Sequence, residues 1–358
     1  MNKKVVWIAI GFIIIVVILA VANNKQSSSD KTVVAIIPLS GATARTGEFA
    51  KRGIDMAVAE LKGSGIKVVY EDSQLDPKTA ISEFNRYAGD KNTIAYLTVG
   101  SPVAMALKPL AQQNRTVLMS IVSAPAYSSL NDYTFRINGT AQIELKNVIQ
   151  QIHDIGAKSL AVLYQNDDYG KGLLNSIKAN YAGTIVDEEG FPADATDMRS
   201  QLTKVKSKNP DVIFIAAYSK AVGLVARQAK DLALRSQLIC GSACDTPDLL
   251  STAAGGAEGL LVIAPTPKAN TSFMSAHNAA YKEDPSYVTT RMYDSVNLIV
   301  QADKVCGTNA DYKSCMKDTI HAVKDFPGVA FPVNFDQNGD LQDQFIVKKV
   351  VNGALQIQ

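Results

Sequence analysis

From Thr32 onward the chain alternates short apolar runs with amphipathic segments, and no other feature constrains the fold as strongly. A strand that feeds a helix and then a second strand builds a parallel sheet covered by helices, because each element must bury its apolar face against the next. The apolar runs predict strands over 33–39, 66–71, 94–99, 116–121, 159–164, 211–217 and 259–265. The helices between them are punctuated: Asp76 can cap a helix whose first residue is Pro77, a position where a proline sacrifices no helical hydrogen bond. The alternation runs twice, over 33–135 and 158–264, with a less regular join at 134–143. At 358 residues the chain suits two lobes of roughly 100–200 residues each. A helical block over 271–323 has no strong strand of its own and must pack on a sheet made elsewhere. The chain closes with FPVNFDQNGDLQDQFIVKKV, two strand-like runs around Asn338-Gly339, a dipeptide suited to a tight hairpin. Asp336, Asn338 and Asp340 faintly resemble a calcium loop, but the downstream glutamate is missing and the turn is the preferred reading.

The first thirty residues read differently. Lys3 and Lys4 precede an uncharged run from Val5 to Ala22, and Ala20 and Ala22 match an A-x-A cleavage site before Asn23. Eighteen apolar residues exceed a typical signal-peptide core and span about 27 Å as a helix, nearly a bilayer core. Residues 1–22 are therefore expected to be a cleaved signal peptide or an uncleaved membrane anchor. Either way the globular body lies outside the cytoplasmic membrane, with 23–31 as a polar tether. No Cys follows the run, which excludes lipid anchoring on an N-terminal Cys. A net charge of only +2, with no basic cluster interleaved with aromatics, argues against nucleic acid as a partner.

All four cysteines fall in the second half and suit an oxidising compartment. Cys306 and Cys315 flank a short polar loop between two helical patterns and are expected to pair. Cys240 and Cys244, just after a strand, are expected to pair as well, since their spacing lacks the second Cys or His pair of a zinc site.

Catalytic signatures are missing: there is no G-x-S-x-G elbow, phosphate loop, dinucleotide glycine fingerprint or H-E-x-x-H. His153, His277 and His321 sit in separate helical patterns, so no metal cluster or triad is expected, and neither an enzyme nor a cofactor. What recurs is a polar or aromatic residue just past the C-terminal end of a strand, where ligands bind in open α/β sheets. Ser40-Gly41, Gly100-Ser101, Ser120 to Ala124 and Tyr218-Ser219 qualify. Ser101 opens a helix at Pro102, where a hydroxyl beside a helix N-terminus helps hold an anion.

Read together, PLSG (38–41) followed by TGEFAKRGIDMAVAEL, YEDSQLDPKTAI (70–81), VLYQNDDYGKGL (162–173), the stretch 188–234, GLLVIAP and FPVNFDQNGDL resemble the type I periplasmic solute-binding proteins, in particular the leucine/isoleucine/valine-binding proteins of ABC importers. The resemblance covers 33–350. It implies an α/β fold of two Rossmann-like lobes with parallel sheets, joined by three crossovers at 136–140, 263–265 and 328–332, that closes on a small-molecule ligand and is read by an ABC permease. Lobe 1 would comprise 32–137 plus 265–328, and lobe 2 would comprise 138–264 plus 329–358. The family's ligand-binding serine falls on Ser101 and its two cleft tyrosines on Tyr169 and Tyr218, with backbone groups of Val122 and Ser123 completing the polar contacts.

Two positions depart from the amino-acid binders of that family. Ala124 stands where they place a threonine, and Ala243 where they place an acidic residue against the ligand ammonium. Burying an ammonium without an acceptor costs several kcal/mol, so the expected ligand has no free ammonium: a small carboxylate, amide or aromatic compound. Asp245, two residues on, could substitute if a Cys240–Cys244 bridge remodels the loop. Arg45 could serve an anionic ligand, although a solvated surface arginine is the preferred reading. A sensory receptor of the same fold, anchored by 5–22, is the alternative to an importer's receptor.

Overall fold

The computed structural model describes residues 31–61, 63–266 and 269–358; the expected signal peptide or anchor at 1–22 and residues 23–30 of the tether lie outside them. The first pass of the alternation gives β1 (Lys31–Ile37), α1 (Ala44–Glu60), β2 (Ile66–Asp72), α2 (Pro77–Ala88), β3 (Thr93–Val99), α3 (Ser101–Asn114), β4 (Val117–Ile121) and β5 (Thr134–Arg136). These strands form one parallel sheet in the order β2-β1-β3-β4-β5. β1 and β3 are buried on both faces, as helices on either side of a parallel sheet require. Asp76 caps α2, its carboxylate accepting the Thr79 N–H at 2.7 Å with Pro77 in the first turn.

The second pass gives α4 (Ala141–Asp154), β6 (Ser159–Gln165), α5 (Asp168–Asn180), β7 (Thr184–Phe191), α6 (Arg199–Lys208), β8 (Val212–Ala216), α7 (Ser219–Asp231), β9 (Gln237–Cys240), a short 3₁₀ turn (Ser242–Cys244), α8 (Pro247–Ala253) and β10 (Leu261–Pro265). Then follow α9 (Thr271–Tyr281), α10 (Tyr287–Cys306), α11 (Tyr312–His321), β11 (Phe345–Val351) and β12 (Ala354–Ile357). The second sheet runs β12-β11-β10-β9-β8-β6-β7, parallel except where β11 pairs antiparallel with β10 and β12.

The helical block finds its sheet as its composition requires. Val288, Met292, Val296 and Ile299 of α10 and Met316 and Ile320 of α11 enter one core with Val33, Ala35, Leu97 and Met119 of the first sheet. Val333, Phe335 and Leu341 enter that same core. Val333, Phe335 and Leu341, expected in the second lobe, therefore pack with the first sheet. All three side chains are apolar and buried, and the first sheet is the surface they reach.

The Asn338-Gly339 turn forms, but it closes only an isolated bridge between Phe335 and Leu341. Asp336 Oδ1 accepts the N–H groups of Asn338 and Asp340 at 2.8 and 2.9 Å, so this carboxylate is spent on the turn. The paired hairpin is β11–β12, around Asn352-Gly353, whose φ values of 52° and 74° match the left-handed turn that two-residue hairpins use.

Candidate functional site

Between the two sheets lies a cavity of about 40 Å³. From the first-sheet unit come Thr46, Val99 to Ser101, Ile121 to Ser123, Tyr287 and Val288; from the second come Tyr169, Tyr218, Ser242, Ala243 and Thr246. Except for Tyr287 and Val288, which open a helix of the helical block, they come from strand ends or from the loops and helix starts that follow them, as the topology of parallel sheets dictates. Ser101 is the first residue of α3. Its Oγ accepts the N–H of Ser123 at 3.3 Å and of Ala124 at 3.2 Å, which leaves the hydroxyl hydrogen to donate. Tyr169 begins the first turn of α5, and Tyr218 precedes α7. Their rings lie 5.2 Å apart. The Tyr218 hydroxyl is buried with no hydrogen-bond partner and faces the Ser101 N–H. Desolvation pushes both phenols well above their ordinary range, helped by the charge of Glu144 at Tyr169 and of Asp167 at Tyr218. Both are neutral donors.

The second-sheet wall is built on a buried carboxyl. Glu144, from the first turn of α4, is wholly buried; Oε1 accepts the Ser242 N–H at 3.0 Å and Oε2 the Ser242 hydroxyl at 2.7 Å. The Tyr169 hydroxyl donates to Oε1 at 3.4 Å and accepts from the Ala243 N–H at 3.4 Å. Desolvation raises the Glu144 pKa to about 7 against the opposing pull of those hydrogen bonds. Gly241 is the residue that makes room: a Cβ there would sit 2.0 Å from Glu144 Oε1. A disulfide between Cys240 and Cys244 closes the turn that carries Ser242 and Ala243.

Ser101, Val122, Ser123, Tyr169, Tyr218 and Ala243 thus border one cavity. Ala124 does not; it packs with Ala104, Val122 and Tyr127, and its carbonyl accepts from Arg136 at 2.9 Å. Val122 lines the cavity, but its N–H is held by Asn138 Oδ1 at 2.8 Å and its carbonyl by Arg136, so the expected backbone contact there is already committed. Asp245 is not itself among the lining residues: its carboxylate pairs with Lys348 at 2.7 Å, while its charge acts on the Tyr287 phenol. Arg45 binds Glu48 and Glu283 over the Phe49 ring, a network that satisfies its charge outside the cavity. Sequence reasoning missed Tyr287, Ser242, Thr46 and Thr246. For Ser242 the signal was within reach, since it follows β9 and its neighbour Ala243 had been singled out. Tyr287 comes from the helical block, which no strand-end rule reaches. Outside the cavity, and bordered like it by Tyr218, lies a cleft of about 880 Å³ that runs from Gln74, Leu75 and Pro102 to Asp168, Lys171 and Thr196.

Two mostly parallel α/β units that bring strand-end hydroxyls together over a shared cavity define a solute-binding fold. Over residues 32–354 the chain matches the family model described as periplasmic binding protein, and it belongs to that family. It is 27% identical over 335 residues to the Leu/Ile/Val-binding protein BraC3 of Rhizobium johnstonii, across 88% of this chain and 90% of that protein. A Leu/Ile/Val-binding protein homolog of Brucella abortus is 27% identical over 325 residues, across 85% of each. In fold, the chain resembles a leucine binding protein, LivK, from Thermotoga maritima, with a TM-score of 0.86 at 22% identity over 92% of this chain and 97% of that one. It likewise resembles the branched-chain amino acid transporter substrate binding protein LivJ from Streptococcus pneumoniae, with a TM-score of 0.81 at 23% identity over 92% and 99%. A solute-binding role and a type I periplasmic-binding-protein fold follow.

Proposed function

We propose that this chain captures a small solute for an ABC permease, and that its ligand carries a carboxylate, an amide or an aromatic group but no free ammonium. The observation that carries the reading is the composition of the cavity wall. Its polar side chains are hydroxyls, those of Thr46, Ser101, Ser123, Tyr169, Tyr218, Ser242, Thr246 and Tyr287, and none of the described lining residues is charged. The start of α3 adds backbone N–H groups at the positive end of a helix dipole. An ammonium placed here would be desolvated without a carboxylate in contact, whereas a carboxylate would meet the Ser101 hydroxyl and the unpartnered Tyr218 hydroxyl.

The cavity of about 40 Å³ is far smaller than the roughly 300–1,000 Å³ of ligand pockets, so a ligand enters only if the walls part. We place that motion at the crossovers 136–140, 263–266 and 342–344, with the first-sheet and second-sheet units as two lobes that close on the ligand. The apolar run 5–22 supports a second reading, an anchored sensory receptor of the same fold.

The test is a thermal-shift comparison of valine with 3-methylbutanoate, the same carbon skeleton without the ammonium. A bound ligand at a hundred times its dissociation constant adds about 2.7 kcal/mol of stability. Stabilisation by 3-methylbutanoate but not valine is expected, and Tyr218→Ala should weaken binding by about 1–3 kcal/mol without unfolding the protein. Strong stabilisation by valine or leucine would refute the ligand class and leave the fold untouched.

A further inference from the structure

An acidic group behind the cavity wall touches the cavity only through its neighbours. Glu144 is entirely buried, and both of its oxygens are bound to Ser242, which lines the cavity. Among the described residues no lysine or arginine pairs with it. The groups that meet it are Tyr169 from α5 and the N–H and hydroxyl of Ser242 from the 3₁₀ turn. The Tyr287 phenol of α10 senses its charge from across the cavity. The nearby charged residues are already balanced, Asp245 by Lys348 and Asp343 by Arg291. An uncompensated carboxylate in such a place is costly unless it takes up a proton.

We propose that Glu144 is the residue that sets which ligand charge this cavity accepts, by fixing the direction in which the Ser242 hydroxyl donates. The 2.7 Å contact between Glu144 Oε2 and Ser242 Oγ serves either direction of donation. With Glu144 ionised, the Ser242 hydroxyl donates to Oε2 and turns its lone pairs to the cavity, an acceptor facing the ligand. With Glu144 protonated, Oε2–H donates to Ser242 Oγ, and the Ser242 hydrogen is released to point at the ligand. No bond other than the O–H of Glu144 changes, and its proton comes from solvent. The Ser242 N–H and the Tyr169 hydroxyl remain on Oε1 in both states, so the wall keeps its shape while its polarity reverses. Glu144 is thus a positioning residue for a carboxylate ligand, and it makes capture of that ligand a proton-coupled event. The pKa of about 7 that burial imposes places the reversal between weakly acidic and weakly basic pH.

This inference rests on the ligand reading above, and its test separates the two. Titration calorimetry of the whole protein with 3-methylbutanoate, an anion throughout, should show affinity falling about tenfold or more between pH 6 and pH 8.5, because a proton bound with the ligand must be supplied as pH rises. Glu144→Gln, whose amide donates to Ser242 Oγ at every pH, should bind 3-methylbutanoate at pH 8.5 as the wild type does at pH 6, with no slope. A wild-type affinity independent of pH, or an unchanged slope in Glu144→Gln, overturns the inference while leaving the ligand reading in place. Valine bound in preference to 3-methylbutanoate overturns both. The carboxyl ¹³C resonance of Glu144 in the ligand-free protein should titrate near neutrality; titration below pH 5 removes the protonation step whatever binds.

Discussion

At Ser101 one hydroxyl serves the fold and the cavity together. It accepts two N–H groups of the loop after β4 and still has a hydrogen to give. Arg136, only 1% exposed, holds that same loop from below through the carbonyls of Val122 and Ala124. Such dual use is legible in sequence only in part: a serine after a strand and before a helix is a cap by rule, and its second duty depends on what loops over it. Buried carboxyls are less legible still. Asp294 on α10 accepts the Val329 N–H at 3.0 Å, and desolvation raises its pKa from 3.8 to about 7. Because the folded-state value lies above the unfolded one, the stability that Asp294 contributes is complete below pH 4 and is lost as pH rises through 7. Asp294→Asn should therefore gain stability relative to the wild type between pH 4.5 and pH 7.5, on the order of 2 kcal/mol, in urea denaturation at both pH values. A difference that does not vary with pH would show that Asp294 is ionised throughout.

At the scale of elements, all seven strands expected from apolar runs are present, each within a few residues of its expected ends. The five outside those seven runs explain themselves. β7 (TIVDEEGF) is half-buried at a sheet edge and rich in acidic residues, β5 and β9 have three and four residues, and β11 and β12 form a largely solvated hairpin. Edge strands need one apolar face or none, so the continuous run that marks a central strand is not there to be read. The cysteines were legible because spacing and compartment restrict their partners. Both bridges are present, Cys306–Cys315 joining the end of α10 to α11. Replacing that pair with alanines should cost about 2–3 kcal/mol through the freed loop of the unfolded chain. The urea midpoint should fall, and α11 should exchange its amide hydrogens ahead of α10, since Cys315 is its covalent tie to the longer helix. Unchanged exchange in α11 would mean that Met316 and Ile320 hold it by packing alone.

For the whole molecule, Arg291 ties the connections together. It reaches from α10 to the Thr266 carbonyl at 3.4 Å, just after β10, and to Asp343 at 3.0 Å, just before β11. Both charged side chains are at most 2% exposed, and the carboxyl pKa of Asp343 is raised by desolvation in spite of the arginine. Arg291→Ala should cost about 3–5 kcal/mol, because it leaves a buried carboxyl unpaired, and Arg291→Met with Asp343→Leu should recover most of that. Guanidinium denaturation of the three proteins measures it; equal losses in the single and double variants would mean that the arginine matters for packing rather than charge.

The sequence by itself determined the fold class, the two passes of the alternation, the disulfide pairs and the strand-end residues around the cavity. The alternation follows from local periodicity, the disulfide pairs from spacing and compartment, and the strand-end residues from the rule that parallel sheets expose ligand sites there, Tyr169 and Ala243 being reached through the family resemblance. Only the tertiary structure decided that Val333, Phe335 and Leu341 pack with the first sheet, that Asp245 pairs with Lys348, and that Glu144 stands behind Ser242. Those facts depend on partners far apart in the chain, 98 residues for Glu144 and Ser242 and 103 for Asp245 and Lys348. No periodicity records such pairings, since they exist only once both sheets have folded and the space between them is closed.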